Sequence, residues 1–570
     1  MGIPSYFSYI IKNYSNIIRD LLSLQRDKVV FHNLFMDCNS IIYDVVRDME
    51  QDPDEMQQCI NKDDSPDTDH TDRFESRIIE LTIQKICEHI DYIDPKCLVY
   101  IAFDGVAPFA KMEQQRSRRN KGVFLSKTSH YIEHYDGNSN NDNKIPHWST
   151  SNITPGTKFM QKLSDAVSRY FANKEHLSKQ STQIIVSTSN DPGEGEHKMF
   201  QYIREHASIK ENAKIIQEEN TIVYGLDSDL IMLSIFHCKF FKNIYIFRET
   251  PAFMSSLVDI TVLDPINKCY FMDISTLSRS ILSEMQMNVA EAYRLYDYVF
   301  LCFFLGNDFL PHFPSLNIRT NGFSILLSAY RELIGKHPNR SFVTQDMQIQ
   351  WKWVHLFIQY LAKYEHDYFI AEYDLRNKWR SRKWQSASAK ERDFVFQSIP
   401  VIYRQEEDYI CPQEKHWQKR YYLALFQHSQ SNSQIADICV NYLEGLEWTF
   451  KYYTTNCPDW KWKYKYHYAP LLNDLCNYIP KTVHHFISNN SVHQPFRPIV
   501  QLAYVLPRSQ HHLLTDTMRM FLDDHHKELY PDTCEFQWAF CRYFWEAHAL
   551  LPEISIDTLN EWNTKFSCVE

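Results

Sequence analysis

Two short segments decide how this chain is organised: DPGEGEHK (residues 191–198) and YGLDSDLIML (residues 224–233). Each carries two carboxylates with one residue between them, which are Glu194 and Glu196, then Asp227 and Asp229. Like charges held this close raise each other's pKa unless a proton or a cation lies between them. Because oxygen ligands and water suit Mg²⁺ or Mn²⁺, the two pairs indicate a site for divalent metal ions.

Each acidic pair follows a β-branched run that predicts a strand. TQIIVSTS (residues 182–189) precedes the first pair, and TIVYGL (residues 221–226) leads into the second. In an open α/β sheet, binding sites form beyond the carboxyl ends of the strands. A single acidic residue at such a place would more often cap the next helix. Two matched pairs favour a metal site instead.

Two further predicted strands also end at a carboxylate. FHNLFMD ends at Asp37, and CLVYIAFDG carries Asp104 near its end. Four strand-like runs of this kind predict the α/β class, with a parallel sheet that has an acidic rim. Farther along, an apolar helix runs into LGND, where Asp308 is either a cap or a seventh ligand. Its spacing does not decide between the two.

A basic segment follows the strand that ends at Asp104. In a helix over VAPFAKMEQQRSRRN, one face would carry Lys111, Gln115, Arg118 and Arg119. Most runs of this kind form an ordinary solvated face. This helix leaves directly from the acidic rim, so a clamp for a phosphate group is at least as good an interpretation.

Aromatic and basic residues alternate strictly between Asp459 and Tyr468. One parity holds Trp460, Trp462, Tyr464, Tyr466 and Tyr468, and the other holds Lys461, Lys463, Lys465 and His467. A period of two predicts an extended segment with one aromatic and one basic face. Such aromatic residues usually belong to a core. Beside cations they can also form a platform on which nucleic-acid bases stack.

The composition bounds the class of protein. With 570 residues, 44% of them hydrophobic, the chain can form two or three domains or one large core. Its 14 cysteines include no CxxC pair, which predicts a reducing compartment without disulfides or zinc. We expect a soluble, unsecreted protein without a membrane partner. The net charge of −11 argues only weakly against nucleic acid, because clustered metal-binding carboxylates contribute to it.

Together, the motifs resemble those of the XRN-type 5′→3′ exoribonucleases in their order and local spacing. The matching segments cover nearly the whole chain and are MGIPSYF, LFMDCNSII, IAFDGVAPFAKMEQQRSRR, NITPGTKFM, DPGEGEHK, YGLDSDLIML, LCFFLGNDFLPHFPSL, YLEGLEWTFKYY and WKWKYKYHYAP. The resemblance implies a PIN/flap-nuclease-like α/β core, a parallel sheet flanked by helices. A mostly helical second block would follow and close the active site. We expect a nuclease block over residues 1–325, a helical connection over 326–430 and the second block over 431–570.

The resemblance also implies roles for individual residues. Seven catalytic acidic residues would surround two Mg²⁺ ions, for which Mn²⁺ can substitute: Asp37, Asp104, Glu194, Glu196, Asp227, Asp229 and Asp308. The residues of the basic helix face would bind a 5′-monophosphate, and these are Lys111, Gln115, Arg118 and Arg119. Tyr43 stands where the family commonly has a histidine, and with Trp460 or Trp462 it would stack on the first base.

The function that the resemblance implies is processive, metal-dependent hydrolysis of single-stranded RNA from a 5′-monophosphate end, which releases mononucleotides. Such an enzyme acts in RNA decay, with a decapping enzyme as a candidate partner upstream. We expect a cytoplasmic monomer, although a nuclear location or a viral origin also fits the sequence. We further expect a short form that lacks the small C-terminal β-domains of larger members.

Two other functions share some of these features. A structure-specific DNA flap endonuclease or 5′ exonuclease has the same acidic core, but it offers no counterpart to the Arg118–Arg119 helix or the aromatic block. A non-catalytic RNA-binding scaffold with this fold would usually have lost a metal ligand. None of the seven acidic positions is lost here.

Overall fold

A computed structural model of the chain describes residues 3, 5–52, 70–134, 148–172, 182–209, 214–249, 269–287, 291–426, 431–487 and 493–567. The first half of the chain is organised on a seven-stranded sheet with the strand order β1-β7-β6-β5-β2-β3-β4. The strands are β1 (Ile18–Arg19), β2 (Asn33–Asp37), β3 (Leu98–Ala102), β4 (Gln183–Ser187), β5 (Asn220–Tyr224), β6 (Asn243–Glu249) and β7 (Cys269–Asp273).

The predicted parallel sheet is confirmed for the strands that carry the carboxylates. The five strands β6, β5, β2, β3 and β4 are parallel neighbours. At one edge β7 runs antiparallel to β6, and β1 runs antiparallel to β7, so the whole sheet is mixed.

Helices cover both faces of the sheet, because successive strand side chains point to opposite sides. On β2, Phe35 packs into one apolar core, whereas Leu34 and Met36 pack into another. The helices of this half are α1 (Tyr6–Asn13), α2 (Leu21–Arg26), α3 (Asn39–Gln51), α4 (His70–Ile93), α5 (Phe109–His134), α6 (Lys158–Ala172), α7 (Gly195–Ser208), α8 (Asp229–His237), α9 (Ile274–Glu284) and α10 (Arg294–Cys302). This arrangement is the predicted α/β core.

The rest of the described chain is mostly helical, as expected. Its helices are α11 (Gly322–Tyr330), α12 (Trp351–Arg380), α13 (Ala389–Gln397), α14 (Ile399–Ile402), α15 (Gln405–Ile410), α16 (Trp417–Phe426), α17 (Asn432–Thr454), α18 (Leu472–Tyr478), α19 (Pro498–Val505), α20 (Asp516–His525) and α21 (Ile556–Lys565). A small antiparallel pair, β8 (Glu535–Gln537) and β9 (His548–Leu550), lies among them. No helix in the described ranges is long and apolar enough to cross a membrane.

A buried ionic cluster joins α12 to α15 and to the segment before β9. The Glu407 carboxylate accepts hydrogen bonds from Arg376 Nη2 at 2.6 Å and from Arg404 Nε at 2.6 Å. It also accepts one from the Phe540 amide at 2.9 Å. The Arg376 guanidinium additionally donates to the Cys541 carbonyl at 2.9 Å. The sequence predicts a helical connection over residues 326–430, and these contacts show that part of this region braces the helical half.

Replacing Glu407 with glutamine should lower the free energy of unfolding by about 3–5 kcal/mol, because two buried guanidinium groups would lose their counter-charge. The neighbouring Asp408→Asn variant is the control. Asp408 pairs with Arg380 at the surface, where the side chains are 45% and 32% exposed, so its loss should cost about 0–1 kcal/mol. Urea unfolding of both variants measures the difference. Equal small losses would show that the cluster contributes little.

Candidate active site

The seven predicted acidic residues converge at the carboxyl ends of the parallel strands. Asp37 is the last residue of β2, Asp104 follows β3 by two residues, and Asp227 follows β5 by three. Because β2 lies between β3 and β5, these ends meet at one edge of the sheet. Glu194 directly precedes α7, whose first turn holds Glu196. Both acidic pairs therefore lie at the same edge of the sheet.

The backbone between the glutamates is fitted closely to the carboxylates around it. The Gly195 amide donates to Asp104 Oδ1 at 2.7 Å. A Cβ atom at Gly195 would lie 2.8 Å from Asp37 Oδ1, a distance that only a shift of the carboxylate would relieve. Asn39 holds the other oxygen of Asp104, because its Nδ2 donates to Oδ2 at 2.7 Å. The Asp104 carboxylate is thus fixed on both sides.

Burial and mutual repulsion dominate the electrostatics of the cluster. Burial, together with the nearby Asp104 and Asp227 carboxylates, raises the pKa of Asp37 well above its usual value. Burial and Asp229 do the same to the pKa of Glu196. The pKa of Asp229 rises to about 7, mainly through burial and then through repulsion from Asp308. Such carboxylates are stabilised by a proton or a cation between them.

The donor set fits a hard divalent cation. Glu196 Oε2 and Asp229 Oδ1 are buried, and neither has a hydrogen-bond partner in the described part of the chain. Oxygen-only ligands of this kind suit Mg²⁺ or Mn²⁺. The ligand shell is not closed, however. Among the described residues, no three carboxylate, imidazole or thiol groups meet closely enough to hold a metal ion on their own.

Lys111 supplies the positive charge inside the cluster. Its Nζ lies 2.5 Å from Glu194 Oε2 and 2.7 Å from Asp308 Oδ2. Burial favours the neutral amine, but Asp308 and Glu194 hold the pKa of Lys111 well above its usual value. Of the two roles left open for Asp308, its contact with Lys111 places it with the acidic cluster. The sequence predicts that Lys111 binds phosphate, whereas in the structure its ammonium group forms ion pairs with the carboxylates of Glu194 and Asp308.

The predicted phosphate-binding residues share a cavity with the acidic rim. This cavity, the rim cavity, has a volume of about 680 Å³. Its walls include the carboxylates of Asp37, Asp104, Glu194, Glu196 and Asp227, the aromatic ring of Tyr43, and the basic-face residues Lys111, Gln115, Arg118 and Arg119. The helix-face prediction for α5 thus agrees with where these side chains lie, and their role in binding phosphate stays a prediction.

Arg119 is poised for an anion. Its Nη2 donates to Thr154 Oγ1 at 2.5 Å, while Nε and Nη1 are buried without a partner within the described ranges. Burial lowers the pKa of Arg119 to about 10. Unpaired buried donors are costly, especially charged ones, so a ligand with acceptor oxygens would stabilise this arrangement. Arg118 is exposed at the cavity wall.

The aromatic segment forms no strand, because residues 460–461 lie in a turn and residues 467–468 in a bend, and most of its aromatic side chains belong to a core. Trp462 is only 8% exposed and stacks on Trp448 with ring centroids 5.2 Å apart. Trp460 is half-buried, and its carbonyl accepts a hydrogen bond from the Phe109 amide at 2.9 Å. Neither tryptophan lines the rim cavity, whereas Tyr43, which is 40% exposed, does. The structure therefore separates the two tryptophans, which the sequence could not.

Two tyrosines of α17 lie against the acidic cluster, although no sequence motif assigned them to the site. The Tyr452 hydroxyl donates to Glu194 Oε1 at 3.0 Å, and its ring stacks on His197 at 3.7 Å. The Tyr453 ring packs edge-on against the same histidine, with ring centroids 5.5 Å apart. The YLEGLEWTFKYY motif contains both residues, but helical periodicity only marks them as buried. Thr154 was also missed, although the NITPGTKFM motif contains it.

Comparisons with known proteins cover almost the whole chain. The family model described as the XRN 5′-3′ exonuclease N-terminus matches residues 1–250. A second, described as the Xrn1 helical domain, matches residues 292–407 and 401–567. Curated relatives include the 5′-3′ exoribonuclease 2 homolog of Drosophila melanogaster, which is 26% identical over 97% of this chain and 69% of its own length.

Two other relatives match over a similar share of this chain. The 5′-3′ exoribonuclease 2 of Arabidopsis thaliana is 26% identical over 98% of this chain and 67% of its own length. The 5′-3′ exoribonuclease 1 of Saccharomyces cerevisiae is 25% identical over 98% of this chain but only 43% of its own length. The chain thus spans about two thirds of the fly and plant relatives and less than half of the yeast one.

Replacing Trp462 with alanine should lower the free energy of unfolding by about 3–5 kcal/mol, since it removes a large buried ring. Trp460→Ala should cost much less, because that ring is half-buried. Urea unfolding, followed by circular dichroism, compares the two variants directly. A loss at Trp460 as large as the one at Trp462 would contradict the separation of the two rings.

Proposed function

The chain belongs to the XRN family of 5′→3′ exonucleases, and from that premise we propose that it hydrolyses single-stranded RNA processively from a 5′-monophosphate end and releases mononucleotides. One observation carries the proposal. The rim cavity brings the carboxylates of a hydrolytic centre together with the unpaired, buried N–H donors of Arg119. A 5′-terminal phosphate entering this cavity would meet both.

The seven acidic residues are the proposed ligands of two divalent cations, Mg²⁺ or Mn²⁺. Such ions, when bound, supply an activated water and stabilise the charge of the leaving oxygen. The chain's own residues fix the geometry. Asn39 and the Gly195 amide hold Asp104, while Tyr452 and Lys111 each hold one oxygen of Glu194. Glu196 Oε2 and Asp229 Oδ1 are left free to coordinate.

Arg119 is the centre of the proposed end recognition. Its two unpaired N–H donors match the acceptor oxygens of a terminal phosphate, and charge-assisted bonds of this kind are among the strongest in proteins. Gln115 and Arg118 lie on the same wall. Lys111 balances the negative charge between this wall and the carboxylates. A capped end carries no free terminal monophosphate for Arg119, so on this proposal capped RNA would first need a decapping enzyme.

Tyr43 and Trp460 are the proposed stacking residues. The Tyr43 ring lies exposed in the rim cavity, where a tyrosine can stack on a base but cannot become cationic as a histidine can. Trp460 lies beside the first residue of α5 through the Phe109–Trp460 backbone hydrogen bond. Trp462 is assigned to the core instead.

A DNA flap nuclease and a non-catalytic RNA-binding scaffold are the alternatives. The α5 basic face and the α17 contact with Glu194 argue against the first, and seven retained acidic residues argue against the second. Digestion of 5′-phosphorylated RNA beside flapped DNA separates an RNA exonuclease from a flap nuclease. A scaffold would bind RNA without metal-dependent hydrolysis.

The double variant Asp227→Ala and Asp229→Ala should abolish hydrolysis and leave the fold intact, because neither carboxylate packs in an apolar core and their removal relieves repulsion within the cluster. Release of mononucleotides from 5′-labelled RNA measures activity, and circular dichroism checks the fold. Mg²⁺ should raise the melting temperature of the wild type more than that of the variant. Full activity, or equal shifts with Mg²⁺, would contradict the metal assignment.

Arg119→Ala should erase the preference for a 5′-phosphate. It should slow cleavage of phosphorylated RNA by roughly 10- to 100-fold in kcat/KM, because charge-assisted hydrogen bonds to the phosphate are lost. Cleavage of 5′-hydroxyl RNA should change little. Lys127→Ala, which removes an exposed cation from the same cavity wall, is the matched control and should retain the preference. Undiminished discrimination in the Arg119 variant would place end recognition elsewhere.

A further inference from the structure

A second cavity lies on the other side of α5. This back cavity has a volume of about 420 Å³ and is lined on the α5 side by Gln114, Ser117, Arg118 and Lys121. The rim cavity is lined from the same helix by Lys111, Gln115, Arg118 and Arg119. Arg118 borders both spaces, and Asp308 of the acidic cluster also lines the back cavity. Arg118 therefore lies between the two cavities, and Asp308 brings the acidic cluster to the wall of the back cavity.

The back cavity has two cations, Lys121 and Arg118, without an ion-pair partner among the described residues. Three carboxylates line it, and each is paired: Glu113 with Lys463 at 2.7 Å, Asp308 with Lys111 at 2.7 Å and Glu546 with Arg319 at 2.6 Å. Lys121 is 9% exposed and donates to the Ala547 carbonyl at 2.6 Å. No carboxylate of the described chain forms an ion pair with Lys121 or Arg118.

Burial destabilises the Lys121 ammonium more than the nearby Glu546 carboxylate stabilises it, which lowers the pKa of Lys121 to about 8. An anion bound beside it would favour the charged form. The wall also offers neutral polar groups. His312 Nε2, Asn307 Nδ2 and Gln114 Oε1 are buried and have no hydrogen-bond partner in the described ranges. Unsatisfied buried groups that line one cavity call for a polar ligand.

Aromatic rings complete the lining of the back cavity. Trp545 is 39% exposed there, with the Arg319 guanidinium 5.8 Å from its ring centroid. His467 and His548 stack with ring centroids 4.8 Å apart on the same wall. Exposed rings beside cations are the surroundings that bind a base and a phosphate together. A volume of about 420 Å³ lies in the usual range for a small-molecule site.

We propose that the back cavity binds the nucleoside 5′-monophosphate that each cut releases, with its phosphate on Lys121 and Arg118 and its base against Trp545. The proposal rests on the proposed exoribonuclease function, since that reaction generates such a product at Asp308, on the border of the cavity. A mononucleotide leaving through the back cavity would not compete with the next RNA end for the rim cavity. The cavity is thus a product site, separate from the site that recognises the end.

Binding of 5′-AMP without Mg²⁺ and without RNA tests the proposal. Isothermal titration should find two sites per wild-type chain. Lys121→Met should weaken one of them by roughly 10- to 100-fold, as expected for the loss of a charge-assisted contact. Arg119→Gln, the matched variant across α5, should weaken the other one and leave the Lys121-dependent site intact. One site only, or two sites that Lys121→Met does not affect, would overturn the proposal.

A second variant guards against misfolding at the buried Lys121. Trp545→Ala changes a partly exposed ring, and it should weaken the same site as Lys121→Met while the melting temperature stays near that of the wild type. An unchanged site in a folded Trp545→Ala protein would remove the base contact and with it the proposal. The trinucleotide pApApA is the competitor for an RNA segment. If pApApA bound the Lys121-dependent site more tightly than 5′-AMP does, the cavity would be a site for an RNA segment and not for the released mononucleotide.

The proposed function and the product site can fail separately. Binding of 5′-AMP is measured without turnover, so a protein that hydrolyses no RNA can still show the Lys121-dependent site. That result would overturn both the exoribonuclease proposal and the product role of the site. In an active enzyme, added 5′-AMP should inhibit turnover, and Lys121→Met should reduce this inhibition. Unchanged inhibition in a folded Lys121→Met protein would overturn the product site alone.

Discussion

Repulsion among buried carboxylates is the constraint on which the rest of this structure depends. Seven acidic side chains meet at the carboxyl ends of β2, β3 and β5, and three of them, Glu194, Glu196 and Asp229, are buried away from the solvent that would screen them. The fold offsets part of this cost with fixed donors: the Gly195 amide, Asn39, Lys111 and Tyr452. These donors leave single oxygens of Glu196 and Asp229 unsatisfied. The proposed metal ions would relieve the repulsion that these donors leave in place.

Helix α5 organises the space around that centre. One of its faces carries Lys111, Gln115 and Arg119 into the rim cavity, while the opposite face lines the back cavity. The helix is itself anchored by the last part of the chain, because Arg116 donates to the Pro552 carbonyl at 2.9 Å and the Leu529 carbonyl at 3.1 Å. The last residues of the chain therefore help to set the position of both walls.

The helical half also reaches the centre itself. Tyr452 and Glu194 are 258 residues apart in sequence and 3.0 Å apart in space. Ring contacts continue from Tyr452 into the α17 core, where Trp448 packs on Tyr452 and stacks on Trp462. The buried Arg376–Glu407 cluster braces the same half from the other side. Substitutions far from the carboxylates would reach the site through this packing.

The sequence by itself determined the parallel strands, the acidic rim and the basic face of α5, because these follow from local periodicity. Side chains on a strand alternate between two faces, and those on a helix return to the same face about every 3.6 residues. Residues close together in sequence therefore determine which side chains share a face. Only the tertiary structure decided the antiparallel strands β7 and β1, the burial of Trp462, the Tyr452–Glu194 contact and the isolation of Lys121. Each depends on which distant segment packs against a given face, and periodicity carries no information about the partner.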